Sequence, residues 1–508
     1  MPAVQEASPI QRAGRREWLG LAVLMLPVLL ISVDNTVLSF AIPSLSRALA
    51  PTGTELLWIV DIYALVLAGL LVPMGALGDR IGRRRLLLIG GAGFGLVSAA
   101  AAFVPSAEAL IGARALLGLF GAMLMPATLS LIRNIFTVPS QRRIAIAVWA
   151  AGFSGGAALG PIVGGLLLEH FWWGSVFLLS VPVLIPLLVL GPILLPESRD
   201  PHPGPVDLWS VLLVMAAMFP VVYGIKAIST SGVGVESLLP IAVGLMFGVL
   251  FVRRQLRRLH PMLDVRLFRN PTFSGSIGAN LLSVFSLVGF IFFLSQHLQL
   301  VLEKSPQQAG LIMLPGLLLT IIAGLAVVRV VRHIRPGYII AGGLLLNAVG
   351  YTIILAAGGD GGVGGLMVAF MVLGLGVGAA ETISNDLILS SVPPTKAGAA
   401  SAISETAYEV GAVLGTAVLG SILTAGYRNG VVLPGGLAPA DAAAASETLG
   451  GAVEAAQRLP EGSASALLES ARAAFDSGVT TTSLIGVVLM LVASAGAVVM
   501  LRRATADS

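Results

Sequence analysis

The sequence predicts an all-α integral membrane protein, on the strength of three observations. Of its 508 residues, 56% are hydrophobic and 11% are charged, whereas a soluble domain carries about 25% charged residues. The mean hydropathy is +0.94, and apolar runs of about 18 residues or more recur along the chain, as in membrane helices. The alternating segments of about ten residues that build a transmembrane β-barrel do not occur in the sequence.

Fourteen apolar segments lie between charged or Pro/Gly-rich breaks, and these are the predicted spans. The first follows Trp18 and is too long for the core of a signal peptide, so we expect it to be retained. If the N-terminus is cytoplasmic, most of the 30 lysines and arginines fall on the cytoplasmic side. Only a few then lie outside, Lys226 among them. Both termini are therefore predicted to be cytoplasmic.

The predicted spans divide into six, two and six. Residues 17–195 form an N-terminal six-helix bundle, 196–270 a linker with two extra transmembrane helices, and 271–501 a C-terminal six-helix bundle. A cytoplasmic N-terminus, 1–16, and a cytoplasmic tail, 502–508, complete the predicted organisation.

Segment 426–478 differs in composition from the spans around it. It is rich in Ala, Gly and Glu and is expected on the outer side. The stretches 439–458 and 463–476 have helical character, and a Pro-Glu-Gly break separates them. We expect an extracellular helical hairpin ahead of the last span, 479–501. An irregular Ala-rich loop is the alternative.

The stretch GALGDRIGRRRLL (75–87) fills the short cytoplasmic loop between the second and third spans. Its aspartate closes one helix and its arginines open the next. Such a carboxylate can pair with an arginine or a helix N-terminus and release it when the helices rock. A simple positively charged anchor is the alternative. The gating candidates in this loop are Gly75, Asp79, Arg80, Gly82 and Arg83.

This loop resembles the motif between spans 2 and 3 of the major facilitator superfamily. GGAALGPIVGG (155–165) resembles the span-5 motif of its antiporters, and ARALLGLFGAMLMPA (113–127) resembles their span-4 motif. VDNTVLSFAIP (33–43) is similar to the span-1 motif of the 14-helix drug:proton antiporter family. LLWIVDIYALVLAGLLVPMGALGDRIGRRR (56–85) is similar to the QacA/SmvA/LfrA group of multidrug exporters.

The resemblance covers essentially the whole chain and implies both a fold and an activity. The implied fold is the major facilitator fold with 14 transmembrane helices. The implied activity is proton-coupled export of lipophilic, mainly cationic drugs by alternating access, such as quaternary ammonium compounds, dyes and biguanides. The alternative within the same fold is a narrow-specificity exporter of one antibiotic, metabolite or lipid. A non-transporting membrane receptor or scaffold is the alternative from another class.

Asp34 interrupts an apolar span, and a carboxylate there is costly and usually functional. A helix rises 1.5 Å per residue, so Asp34 lies about 13 Å below the outer end of span 1 and Arg114 about 10 Å below that of span 4. An ion pair between them would reduce the burial penalty of both. We expect Asp34 to carry the coupled proton with Arg114 as its partner. A fixed interhelical ion pair is the alternative.

Further carboxylates are candidates for binding a cation. Asp61 in span 2, beside Tyr63, is expected either to face a substrate in the outer vestibule or to be a helix-entry residue near water. Glu405 and Glu409 are four residues apart in span 13 and share one helix face. Several carboxylates with aromatic neighbours suit a delocalised positive charge. The predicted substrate-binding residues are Asp61, Tyr63, Glu381, Glu405, Tyr408 and Glu409.

Span 5 carries a stripe of small residues, since Gly156, Gly160 and Gly164 are spaced by four. This spacing lets two helices approach closely, and Pro161 can kink the helix. By resemblance, this helix, including Gly165, helps to seal the cavity in one state.

The sequence contains no nucleotide-binding loop, nucleophile motif or histidine pair at metal-ligand spacing. It also contains no cysteine. We therefore expect neither an enzyme nor a metal or cofactor site, and expect the proton gradient to be the energy source. The basic pI of about 9.7 is interpreted as a membrane-topology signal rather than as nucleic-acid binding. The expected protein is a monomer in the bacterial cytoplasmic (inner) membrane.

Overall fold

The structure is a computed structural model. The residues it describes are 12–199, 207–258, 261–357, 362–392 and 397–502. Within those ranges the chain is helical and contains no β-strand, so the predicted all-α class is confirmed. The predicted terminal segments, 1–16 and 502–508, lie largely outside these ranges.

The first six spans are formed by seven helices. They are α1 (Arg15–Leu49), α2 (Gly53–Ile81), α3 (Arg83–Ala101), α4 (Ala107–Ile135), α5 (Pro139–His170), and the consecutive α6 (Ser175–Leu178) and α7 (Ser180–Leu194). The two extra spans are α8 (Leu208–Ser231) and α9 (Val235–Arg257).

The last six spans begin after a short 3₁₀ turn, Val265–Arg269. They are α10 (Pro271–Gln296) with a π turn (His297–Val301), α11 (Pro306–Val330), α12 (Pro336–Ala357), α13 (Gly362–Ser390), α14 (Ala397–Leu414) continued through a π segment (Gly415–Gly420) into α15 (Ser421–Gly430), and α18 (Glu461–Leu501). Thirteen of the described spans are long and apolar enough to cross a membrane. The fourteenth long helix is α5, whose described apolar part is Leu159–His170.

Buried apolar side chains form two main cores, one mainly from the first six spans and one mainly from the last six. Each core also includes side chains of the other bundle, such as Leu57 in the second core and Val413 in the first. The extra helices α8 and α9 pack against each other, and Asp207 before α8 ties them together by accepting from Arg254 at 2.8 Å. Burial opposes ionisation of Asp207, but hydrogen bonds from Arg254 and Ser210 outweigh it and lower the pKa of Asp207 to about 2. α8 also packs on α2, where Met215 lies over Gly69.

The predicted outer hairpin differs from the structure at both of its arms. The first arm is two short helices, α16 (Pro439–Glu447) and α17 (Leu449–Ala456), because Thr448 leaves the helical region and caps α17 by accepting from the Gly451 amide at 3.0 Å. The second arm, 463–476, is not separate from the last span. It continues into the span as the single 41-residue helix α18, since nothing between Glu461 and Leu501 breaks the helix.

The two short helices cap the outer end of the first bundle, the end where α1 ends and α2 begins. Glu447 of α16 accepts from the backbone amide of Gly53 at 3.1 Å and pairs with Arg428 at 3.2 Å. Tyr427 donates to the carbonyl of Ala445 at 2.7 Å. The cap therefore joins the start of α2 to α15 of the second bundle.

Candidate coupling and cation-binding site

Asp34 of α1 and Arg114 of α4 form an ion pair inside the first bundle. The Arg114 Nη1 donates to Asp34 Oδ2 at 2.7 Å, and the two side chains are 2% and 11% exposed. Arg114 also donates from Nε to the carbonyl of Ile59 at 3.2 Å. The two residues are 80 positions apart in the sequence and meet in the structure, as their similar depths in the spans predicted.

Tyr63 of α2 completes this cluster. Its ring centre lies 4.4 Å from the Arg114 guanidinium carbon, which is cation–π distance. The ring is fully buried, and its hydroxyl has no hydrogen-bond partner among the described residues. Tyr63 lies within electrostatic range of Asp34, Arg114 and Glu409. It is therefore positioned between the ion pair of the first bundle and a carboxylate of the second.

The carboxylates of the second bundle lie on α13 and α14. Glu409 is buried, whereas Glu381 and Glu405 are half-buried. Tyr408 lies within electrostatic range of both Glu381 and Glu409. Asp386, one turn further along α13, is exposed. Carboxyl groups and tyrosine rings from both bundles thus contribute to one region, which has the chemistry needed to hold a cation or a proton.

Asp61 lies in a different environment from the one predicted. With the outer end closed, the residue is only 1% exposed and faces neither a vestibule nor water. Its Oδ2 pairs at 2.9 Å with the ammonium of Lys226, which is itself completely buried. Lys226 was expected outside the membrane. It instead lies within α8, and its Nζ stands 3.9 Å from the ring centre of Trp58.

The glycine stripe of α5 packs directly on the helix that carries Asp34. A Cβ on Gly156 would stand 2.7 Å from the Ser32 Cβ, and one on Gly164 would stand 3.3 Å from Val37. Gly160 lies against Thr36 between them. At Gly156 and Gly160 any added side chain would overlap α1, so α1 and α5 pack closely on either side of Asp34.

A neighbouring face of α5 packs on the second bundle. A Cβ on Gly165 would stand 2.6 Å from the Cα of Gln307, and Pro161 lies against Gly310 of α11. Ser305 donates to Glu169 at 2.9 Å at the same end. The outer ends of the two bundles are thus in close contact at α5 and α11.

The loop motif between α2 and α3 is built around Glu197, which sequence reasoning missed. Asp79 pairs with Arg83 at 2.8 Å one helical turn away. The N-terminus of α3 is capped by Glu197, which accepts from the amides of Arg84 and Arg85 at 3.1 and 3.2 Å.

The glycines of this loop pack closely against neighbouring side chains, whereas Arg80 does not. Gly82 has a φ of +113°, and a Cβ there would stand 2.6 Å from the Glu197 carboxylate. Gly75 contacts Pro126 of α4. Arg80 is exposed.

Other polar residues near the site were also missed from the sequence. Thr416, in the π segment after α14, is fully buried beside Asp61. On the inner side, Ser404 donates to Asn385 at 2.6 Å and accepts from Asn280 at 3.4 Å. In the sequence, each of these residues is marked only by being polar within an apolar run. Serine, threonine and asparagine are too common in membrane spans for that feature alone to identify a site.

Two helical bundles of long apolar spans with buried charged side chains are the architecture of a multi-pass membrane protein. Residues 24–416 match the Major Facilitator Superfamily, so the chain belongs to this family. The predicted family is confirmed.

Two relatives cover nearly the whole chain. The multidrug efflux pump LfrA of Mycolicibacterium smegmatis is 58% identical over 97% of this chain and 98% of its own length. The methyl viologen resistance protein SmvA of Salmonella typhimurium is 40% identical, with coverage of 91% and 93%. A crystal structure of a bacterial homologue of the human lysosomal transporter Spinster, inward-facing and occupied, shares the fold. Its TM-score is 0.67 at 16% identity, and it covers 96% of this chain and 98% of that one.

Proposed function

We propose that this protein exports lipophilic, mainly cationic drugs in exchange for protons, by alternating access across the bacterial cytoplasmic membrane. The observation that carries the proposal is the Asp34–Arg114 ion pair, which joins two apolar spans with 2.7 Å between its charged groups. The names of the relatives support the substrate class, because one is a multidrug efflux pump and the other confers resistance to methyl viologen, an organic dication.

The ion pair supplies a site that can change its charge without unfolding the bundle. With Asp34 ionised, Arg114 is neutralised and the pair is stable in its dry surroundings. When Asp34 takes up a proton, Arg114 keeps the Ile59 carbonyl and the Tyr63 ring as partners. Tyr63 lies within range of both Asp34 and Glu409. A change of charge at Asp34 therefore changes the electrostatic potential at the carboxylates of the second bundle.

A cation binds at the carboxylates Glu381, Glu405 and Glu409, with the tyrosine rings stabilising its delocalised charge. Bound cation and bound proton compete electrostatically, because a proton on Asp34 removes negative charge close to the carboxylates that hold the cation. The proton gradient is the energy source, and no cofactor takes part. The working unit is a monomer.

Alternating access uses the contact between α5 and α11. In this structure Gly165 and Pro161 of α5 close on Gln307 and Gly310 at the outer end. Opening that end separates α5 from α11, while the glycine stripe keeps α5 on α1. The Asp34 site therefore moves with the first bundle as a unit.

The test is a flux assay in proteoliposomes with an imposed proton gradient. Ethidium or a quaternary ammonium compound is added, and proton movement is recorded with a pH-sensitive dye. Wild type and the control Asp386→Asn, which changes an exposed carboxylate, should dissipate the gradient on addition of the cation. Asp34→Asn should not.

The other outcomes separate the alternatives. Dissipation that persists in Asp34→Asn moves the proton site to another carboxylate and overturns the role of the ion pair. No response of folded wild type to any of several cations contradicts cation export. A single antibiotic, metabolite or lipid as the active compound would then identify a narrow-specificity exporter.

A further inference from the structure

A second buried cation lies outside the site described above. The Lys226 ammonium is 2.9 Å from Asp61 Oδ2 and 3.9 Å from the ring centre of Trp58. Trp58 stacks in turn on Phe219, with ring centres 6.3 Å apart and planes 16° from parallel. A carboxylate together with the face of an indole is a favourable environment for an organic cation. Here the cation that fills it belongs to the protein.

Three separate parts of the chain meet at this point. Asp61 and Trp58 lie on α2 of the first bundle, Lys226 lies on the extra helix α8, and Thr416 adjoins Asp61 from the π segment of the second bundle. Thr416 is completely buried and lies within hydrogen-bonding reach of Asp61. The pocket is therefore closed by the second bundle, and it opens when that bundle separates from α2.

The site adjoins the coupling site along α2. The Ile59 carbonyl accepts from Arg114, and Ile59 lies between Trp58 and Asp61 on the same turns of α2. A cation released from the central carboxylates toward the outer end would pass this part of α2. The buried lysine has no evident structural necessity, because an ion pair in a dry interior is no more stabilising than apolar packing of the same shape.

We propose that Asp61, Trp58 and Thr416 form an exit site for the exported organic cation, and that Lys226 is a tethered cation that occupies it. This inference rests on the function proposed above. In the outer-closed state the lysine fills the site. When the outer end opens, the lysine and the departing cation compete for Asp61, so the cation is held weakly and leaves. Lys226 thus sets the affinity for cation on the outer side, and the extra helices contribute a residue to transport.

The test measures how external cation inhibits export. Right-side-out membrane vesicles are loaded with radiolabelled tetraphenylphosphonium, and its efflux under a proton gradient is followed while unlabelled tetraphenylphosphonium is added outside. In Lys226→Met the empty site should retain external cation, so half-inhibition should need about tenfold less of it than in wild type. The KM for cation on the inner side should not change. Lys226→Arg, which keeps the charge, should behave like wild type.

A double variant separates an exit site from a structural ion pair. Asp61→Asn/Lys226→Met removes both charges and leaves no unpaired buried group, so it should fold, and the tighter external inhibition should disappear. The exit site is overturned if external cation inhibits export by Lys226→Met and by the double variant equally. It is also overturned if external cation inhibits Lys226→Met no more strongly than wild type. If wild type exports no tetraphenylphosphonium, the proposed function itself fails, and this inference fails with it.

A second measurement tests opening of the pocket directly. The chain contains no cysteine, so Lys226→Cys has one thiol, and 2-aminoethyl methanethiosulfonate converts it to an ammonium of similar length. Labelling from outside should accelerate during turnover, and it should restore the weak external inhibition of wild type. A thiol that never reacts during turnover, in folded protein that exports cation, contradicts opening of this pocket.

Discussion

Replacing Gly165 by alanine should open the outer end of the protein. Gly165 is a position where α5 approaches α11 closely, since an added Cβ would stand 2.6 Å from the Cα of Gln307 and 2.9 Å from the carbonyl oxygen of Pro306. Both neighbours are backbone atoms, so a side-chain rotation cannot relieve the overlap. The two helices must separate instead.

The size of the effect follows from that overlap. Non-bonded carbon atoms rest at about 3.5–4.0 Å, so the helices must move apart by about 1 Å. Overpacking of this kind costs about 1–3 kcal/mol. Because the contact joins the two bundles and exists only while the outer end is closed, the cost falls on that state alone. The equilibrium should shift toward the outward-open state by about 5- to 150-fold.

Spin labels can report this shift in the cysteine-free background. Cysteines at the exposed positions His170 and Leu311 place one label on α5 and one on α11, and double electron–electron resonance gives the distribution of distances between them. Gly165→Ala should enlarge a long-distance population. Gly156→Ala is the matched control. Its Cβ would clash with Ser32 and the Leu29 carbonyl within the first bundle, so it should lower stability without changing the distances.

The reasoning is refuted if Gly165→Ala and wild type give the same distance distribution in folded protein. It is also refuted if Gly156→Ala produces the same shift, because the effect would then not depend on the contact between the bundles.

Three further predictions follow from the charged groups. Cation binding, measured by equilibrium dialysis, should tighten as pH rises, because deprotonation frees the carboxylates. If one proton is displaced, log Kd should fall by about one per pH unit. Asp34→Asn should flatten this slope. Arg114→Lys should reduce flux about tenfold or more in folded protein, because lysine cannot contact Asp34 and the Ile59 carbonyl together, and a charged hydrogen bond contributes about 1.5–3 kcal/mol. Asp207→Asn should lower the free energy of unfolding at pH 7 by about 2 kcal/mol, measured by thermal melts. Burial opposes ionisation of Asp207, but the hydrogen bonds from Arg254 outweigh it and lower the pKa of Asp207 from 3.8 to about 2. That stabilisation is present above pH 3.8 and is lost as pH falls through about 2.

The Asp34–Arg114 contact was predictable because two simple rules agree. A helix has a fixed rise, so the depth of each residue follows from its distance to the span end. A buried charge needs an opposite charge, and Arg114 is at the matching depth. Glu405 and Glu409 were placed on one face by the same periodicity. The low charge content predicted a membrane protein, and the long apolar runs without alternating segments predicted that its spans are helices.

The Asp61–Lys226 pair was not predictable, because it depends on how the extra helices pack. The periodicity of α8 does not indicate that this helix packs against α2. In addition, Lys226 is close enough to the end of its span to be assigned to a loop. The long helix α18 was missed for a related reason. The alanine-rich segment before the last span is as helical as the span itself, and hydropathy marks only the apolar part.

The central claim is that protons and cations exchange for each other, and a reversed experiment tests it most directly. Proteoliposomes are prepared with equal pH on both sides and the membrane potential clamped with potassium and valinomycin. A tetraphenylphosphonium gradient is then imposed, and internal pH is recorded. Obligatory exchange predicts that the cation moving down its gradient drives protons in the opposite direction, so that a pH difference forms where none existed. Cation movement with no pH change would contradict the account, because it would show transport without proton coupling.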